Sequence, residues 1–197
     1  MGGGKWVATY AMQNGDSDGV IPFEVEGILD LSGNPNSGTA ATTDGSVVIF
    51  DNTKPELDIV RIASNNQDST WAKVGDMISI NFIANELLIS QSVNLNGQAM
   101  TISDLGSEKY LAQYEMTDLD TEGQLSFEIF ITDSVGLVSD PIVTTSNSSQ
   151  VVFDKTLPIL NQVNIQSNNQ NNSSIAITAD NVTLTFIPDE PLLADSI

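Results

Sequence analysis

The segment MISINFIA, residues 77–84, alternates apolar and polar side chains with a period of two. Ile78, Ile80 and Phe82 fall on one side and Ser79 and Asn81 on the other, the pattern of a half-buried strand. VTLTFI at 182–187 repeats the alternation. YLAQYEM (110–116) and QLSFEIFI (124–131) show it on either side of a short acidic turn. β-Branched and aromatic residues dominate these stretches, as strands favour. Asn, Asp, Gly and Ser cluster between them, as turns require. No segment carries a convincing amphipathic helical period. About seven short strands per hundred residues predict an all-β chain of immunoglobulin-like sandwiches. The expected strands are A 57–63, B 77–84, C 89–94, D 98–103, E 109–116, F 124–131 and G 142–153.

The same landmarks occur twice, offset by about 103 residues. Lys5, Trp6, Tyr10, Met12, Asp16, Gly19 and Phe23 align with Lys109, Tyr110, Tyr114, Met116, Asp120, Gly123 and Phe127. Asp18 is matched by Glu122, so a carboxylate is kept. Asp30 and Gly33 fall on Asp133 and Gly136. VVIFDNTKP falls on QVVFDKTLP, which places Asp51 on Asp154. SNNQ recurs at Ser64 and Ser167, and Asp76, Phe82 and Glu86 align with Asp180, Phe186 and Glu190. The phase of the repeat leaves two domain frames open. In one, residues 1–54 are strands E to G of a preceding repeat, 55–154 a complete repeat, and 155–197 strands A and B of a following one. In the other, 1–103 and 104–197 are two β-domains. The equivalence of Trp6 with Tyr110 predicts core or half-core packing for both rings.

Charge narrows the function. Six Lys and Arg stand against 26 Asp and Glu, a net charge of −20. Phosphate recognition needs cations, so a nucleic-acid partner is excluded, and docking or insertion at an anionic membrane is not expected. No stretch is long and apolar enough to span a bilayer as a helix. The chain has no Cys and no His. It therefore lacks thiol nucleophiles, the usual general base and the usual zinc ligands, and we expect no enzymatic activity. MGGGK at the start reads as a tag remnant, not a targeting signal.

Three blocks, SNN…AKVGDMISINFIANE, DLDTEGQLSFEIFITDSVG and VVFDKTLP, resemble the tandem Ig-like repeats of large bacterial surface proteins and adhesins. The resemblance covers essentially the whole chain. It implies an extracellular or cell-surface setting and a structural role as a spacer or stalk, with neighbouring repeats of the same chain as partners. Calcium at the junctions between repeats is a further implication. Three departures count against a metal site in the later copy: Leu137 stands where the first copy has Asn34, Ala179 stands before Asp180 where the first copy has Gly75 before Asp76, and DTEG has Glu for Asp.

The acidic positions have two readings. Asp and Gly at DSDG and DTEG suit hairpin turns for conformational reasons alone. Carboxylates at alternate positions, with the linker Asp nearby, also suit Ca²⁺, which takes six to eight oxygen ligands. The candidate ligands are Asp16, Asp18, Asp30 and Asp51, with counterparts Asp120, Glu122, Asp133 and Asp154. Two further functions stay open. One is a carbohydrate-binding module, with a surface or glycan ligand. The other is a filament subunit that exchanges strands with a like chain, because an incomplete repeat stands at each end of the first frame.

Overall fold

The computed structural model describes residues 4–192, and these contain strands and no helix. The chain divides at Phe153/Asp154 into two compact units. In the first lie β1 (Gly19–Val20), β2 (Ile49–Phe50), β3 (Leu57–Ser64), β4 (Trp71–Ala72), β5 (Met77–Ala84) and β6 (Leu88–Leu95). They are followed by β7 (Gln98–Ala99), β8 (Thr101–Gly106), β9 (Lys109–Glu115), β10 (Gly123–Gln124), β11 (Phe127–Asp133) and β12 (Val152–Phe153). The second unit holds β13 (Leu160–Ser167) and β14 (Val182–Pro188).

β3, β5, β9 and β8 form a four-stranded antiparallel sheet in the order β3-β5-β9-β8, and β11, β6 and β7 form a second sheet. Isolated bridges Ile129↔Ile142 and Thr132↔Val138 add the following segment beside β11. The alternation read from sequence now has a cause. Ile78, Ile80, Phe82 and Ala84 of β5 are buried together with Val60 and Ile62 of β3 and Tyr110 and Ala112 of β9. Leu88, Val93 and Leu95 of β6 and Phe127, Ile129 and Ile131 of β11 complete the same core. Phe82 is paired with Tyr110 in register, and their rings stack with centroids 5.2 Å apart. The result is consistent with a β-sandwich.

Expected strand G is not continuous. After the two bridges, Ser146 and Ser149 meet β3 through their hydroxyls, which accept from the Val60 and Ile62 amides. Only then does β12 form, parallel to β4 and antiparallel to β10. Pro141 and the TTSNSSQ run explain the break, since Pro lacks a donor and Ser and Asn compete for backbone groups. Expected strand F divides likewise into β10 and β11.

Residues 5–50 show little regular structure: the β1–β2 pair and the bridges Val25↔Thr39 and Leu29↔Pro35. Trp6 is 93% exposed whereas Tyr110 is 3% exposed, so the expected packing of Trp6 does not occur. Tyr110 lies between β5 and β8; among the described residues no strands flank Trp6. In the second unit β13 and β14 pair in an antiparallel hairpin.

Hydrogen bonds recur at the aligned positions. Asp76 accepts from Asn66 Nδ2 (2.8 Å) and the Lys73 amide, and Asp180 accepts from Asn169 Nδ2 (2.8 Å) and the Ile177 amide. Burial pushes the Asp76 carboxyl up, but the Lys73 amide, the Asn66 side chain and the Lys73 charge outweigh it and hold the group below its ordinary 3.8. A depressed carboxyl contributes stability above its unfolded pKa and loses it as pH falls through the folded one. Asp76→Ala should therefore cost about 2 kcal/mol at neutral pH and far less in acid, once the pH has fallen through the lowered pKa of the folded carboxyl. Urea unfolding at the two pH values measures the difference.

Candidate metal site

Three segments bring carboxylates together. Asp51 begins the linker DNTKP directly after β2. Glu86 sits in the turn between β5 and β6, and Asp133 ends β11. One carboxylate oxygen of each lies within 4.8 Å of those of the other two. The linker is stitched to that turn: the Glu56 amide donates to Asn85 Oδ1 (3.0 Å) and the Asn85 amide to the Glu56 carbonyl (3.1 Å). A register shift between Thr132 and Asp133 sets Asp133 opposite Leu88, two residues past Glu86. Asp51 is itself held by the Thr53 amide at 3.0 Å.

Asp133 is 0% exposed. Its Oδ1 accepts three backbone donors, from Val135 (2.9 Å), Gly136 (2.8 Å) and Leu137 (2.9 Å). Its Oδ2 is buried with no hydrogen-bond partner. A buried carboxylate oxygen without a donor is costly. Burial, and then the charges of Asp133 and Asp51, push the Glu86 carboxyl above its ordinary 4.5. The ion pairs Lys54–Asp140 (2.6 Å) and Lys73–Asp76 (3.6 Å) use other carboxylates.

These donors suit a hard cation. All are carboxylate oxygens, with no imidazole or thiolate in the chain. Calcium–oxygen distances of about 2.3–2.6 Å place ligands across the ion about 5 Å apart, so the three oxygens fit around one Ca²⁺. The fourth and further ligands would be water or backbone carbonyls.

The other acidic positions accept protein donors. Asp16 takes the Tyr10 hydroxyl (3.1 Å) and the Gln13 amide (2.7 Å). Asp120 takes the Tyr114 hydroxyl (3.0 Å) and the Thr117 amide (2.7 Å). Asp18 does reach the linker, where it accepts from the Asn52 amide (2.8 Å) and the Thr53 hydroxyl. Asp30 takes the Ser32 and Asn34 amides and Asn34 Nδ2, each at 2.8 Å. Asp154 takes the Thr156 amide (2.9 Å), and Glu122 lies exposed after its turn. Gly19 and Gly123 have φ of 125° and 120°, which accounts for glycine at that place in both turns.

Of the eight sequence candidates, the cluster holds Asp51 and Asp133. The sequence reading passed over Glu86, although its recurrence as Glu190 was a visible signal. Leu137, which counted against a site in the later copy, lies in the loop of Asp133, the later-copy candidate that joins the cluster. No protein-family model, curated protein or solved structure matches the chain.

Proposed function

We propose that the chain is a spacer segment of an extracellular or cell-surface protein, built from Ig-like sandwiches and stiffened by calcium at Asp51, Glu86 and Asp133. The single observation that carries this reading is the cluster itself. It joins a linker carboxylate to two carboxylates of the sandwich, and one of its buried oxygens lacks a donor. A cation held there pins the DNTKP linker to the sandwich that follows and limits the hinge between them. The order β3-β5-β9-β8 supports the Ig-like assignment, since it corresponds to strands A, B, E and D of a constant-type sandwich, with β6 and β11 as C and F. The acidic surface suits an extended array that must stay soluble.

The chain has no Cys, so paired spin labels at Ser37→Cys and Ser92→Cys report the hinge directly. The distance distribution between them should narrow in millimolar Ca²⁺ and broaden in chelator. A distribution that calcium leaves unchanged defeats the stiffening mechanism.

A second reading, association with a like chain through exchanged strands, draws on the exposed apolar positions of β13 and β14. Val163, Ile165, Val182 and Leu184 are exposed, whereas their counterparts Val60, Ile62, Ile78 and Ile80 are buried. A complementary stretch of the same repeat would cover that face.

A further inference from the structure

The loops after Asp30 and Asp133 are built alike. In each, the first Asp amide donates to the carbonyl four residues on, Asp30 to Asn34 (2.9 Å) and Asp133 to Leu137 (3.1 Å). In each, Gly at the fourth place has positive φ, 87° for Gly33 and 95° for Gly136, and its amide returns to the Asp carbonyl. In each, the Asp Oδ1 accepts the amides two and four residues on. They differ in their donors: the Gly136 amide adds a third bond to Asp133 Oδ1 at 2.8 Å, and the second oxygen is served in the first loop alone. Asn34 extends its side-chain amide to Asp30 Oδ2 at 2.8 Å. Leu137 has no such group, and Asp133 Oδ2 is left buried without a partner.

We propose that residue 137 decides whether this loop requires a metal: Asn34 closes the first loop with its own amide, and Leu137 leaves the equivalent place to a cation. The inference rests on the calcium reading above and extends it to the metal dependence of the site. Aliphatic Leu137 removes the internal competitor for Oδ2, so the carboxylate's free oxygen is directed to the ion shared with Asp51 and Glu86. A chain that carried Asn at 137 would have the loop satisfied before calcium arrived, and calcium would have to displace or share that hydrogen bond.

The test uses the full chain, calcium chloride as probe, calorimetric titration for affinity and thermal melting in chelator. Leu137→Asn should bind calcium at least about tenfold more weakly than wild type, the scale on which groups that orient metal ligands act, and should melt higher than wild type in chelator. Leu137→Ala removes the leucine without adding a donor. It should bind calcium like wild type, whatever it loses in packing. If Leu137→Asn and wild type bind equally, or if Leu137→Ala is weakened as much as Leu137→Asn, the role of residue 137 is overturned and the calcium reading stands. If the wild-type chain binds no calcium, the calcium reading falls, and this inference with it.

Discussion

Glu86→Gln will melt above the wild-type chain in chelator and below it in millimolar calcium. The crossing of the two curves follows from the charges at the site. Without a cation, Glu86 faces Asp51 and Asp133, and its carboxyl is already pushed up by burial and by those two charges. Glutamine removes one like charge at nearly constant shape, a relief on the order of 1 kcal/mol at the dielectric of a partly exposed site. With calcium present, the wild-type chain gains by mass action about 2.7 kcal/mol when free calcium is a hundredfold above the dissociation constant. The variant, with two carboxylates left, forfeits most of that gain. A scan in matched ionic strength of sodium chloride controls for general screening of the −20 charge. Asp120→Asn is the companion control. Asp120 holds the Tyr114 hydroxyl and the Thr117 amide, so its loss should leave the calcium-induced shift of wild type in place. Equal shifts with calcium and sodium would remove the metal from the molecule, and a shift lost in Asp120→Asn would return it to the acidic turn.

That contrast shows where the sequence is informative and where it stops. The recurrence of DSDG as DTEG was visible, and so was the preference of turns for Asp and Gly. Which of the carboxylates would find protein donors was not visible, because the deciding partners are the Tyr10 hydroxyl six residues away for Asp16 and the linker amide 34 residues away for Asp18. Asp51, Glu86 and Asp133 come from three segments far apart in the chain, and only the pairing of β6 with β11 and the stitching of Glu56 to Asn85 draw them together. Period-two alternation, by contrast, is a local property that the sheet merely registers. The core strands β5, β9 and β11 therefore lie within a few residues of expectation. Strand G failed for a local reason as well: Pro141 and the Ser-rich run after it interrupt the ladder that the apolar residues alone would predict.

Phe82→Ala and Phe186→Ala, equivalent by sequence, should differ several-fold in cost. Both phenylalanines stand at the same place in the same alternating strand, and INFIANE and LTFIPDE part mainly at Ala84 and Asn85, where Pro188 and Asp189 stand in the later copy. Their surroundings do. Phe82 is 1% exposed, stacks on Tyr110, and lies between Val60 of β3 and Tyr110 of β9 in register. Truncating it loses the transfer energy of a full aromatic ring and leaves a cavity among residues that other strands hold in place, about 3–5 kcal/mol. Phe186 is half-buried on β14, which among the described residues pairs with β13 alone. It has no counterpart of Tyr110 among the described residues of its sheet, so its truncation should cost under about 1 kcal/mol. Urea unfolding followed by far-UV circular dichroism reads the strands of both units, and Trp71 fluorescence in a Trp6→Phe background reads the first unit alone, since Trp71 lies in β4 and Phe186 in the second unit. A Phe186→Ala loss as large as that of Phe82→Ala, growing with protein concentration, would mean that the exposed face of the hairpin is covered in solution by another chain. That outcome would raise strand exchange above the calcium-stiffened spacer as the account of what this chain does.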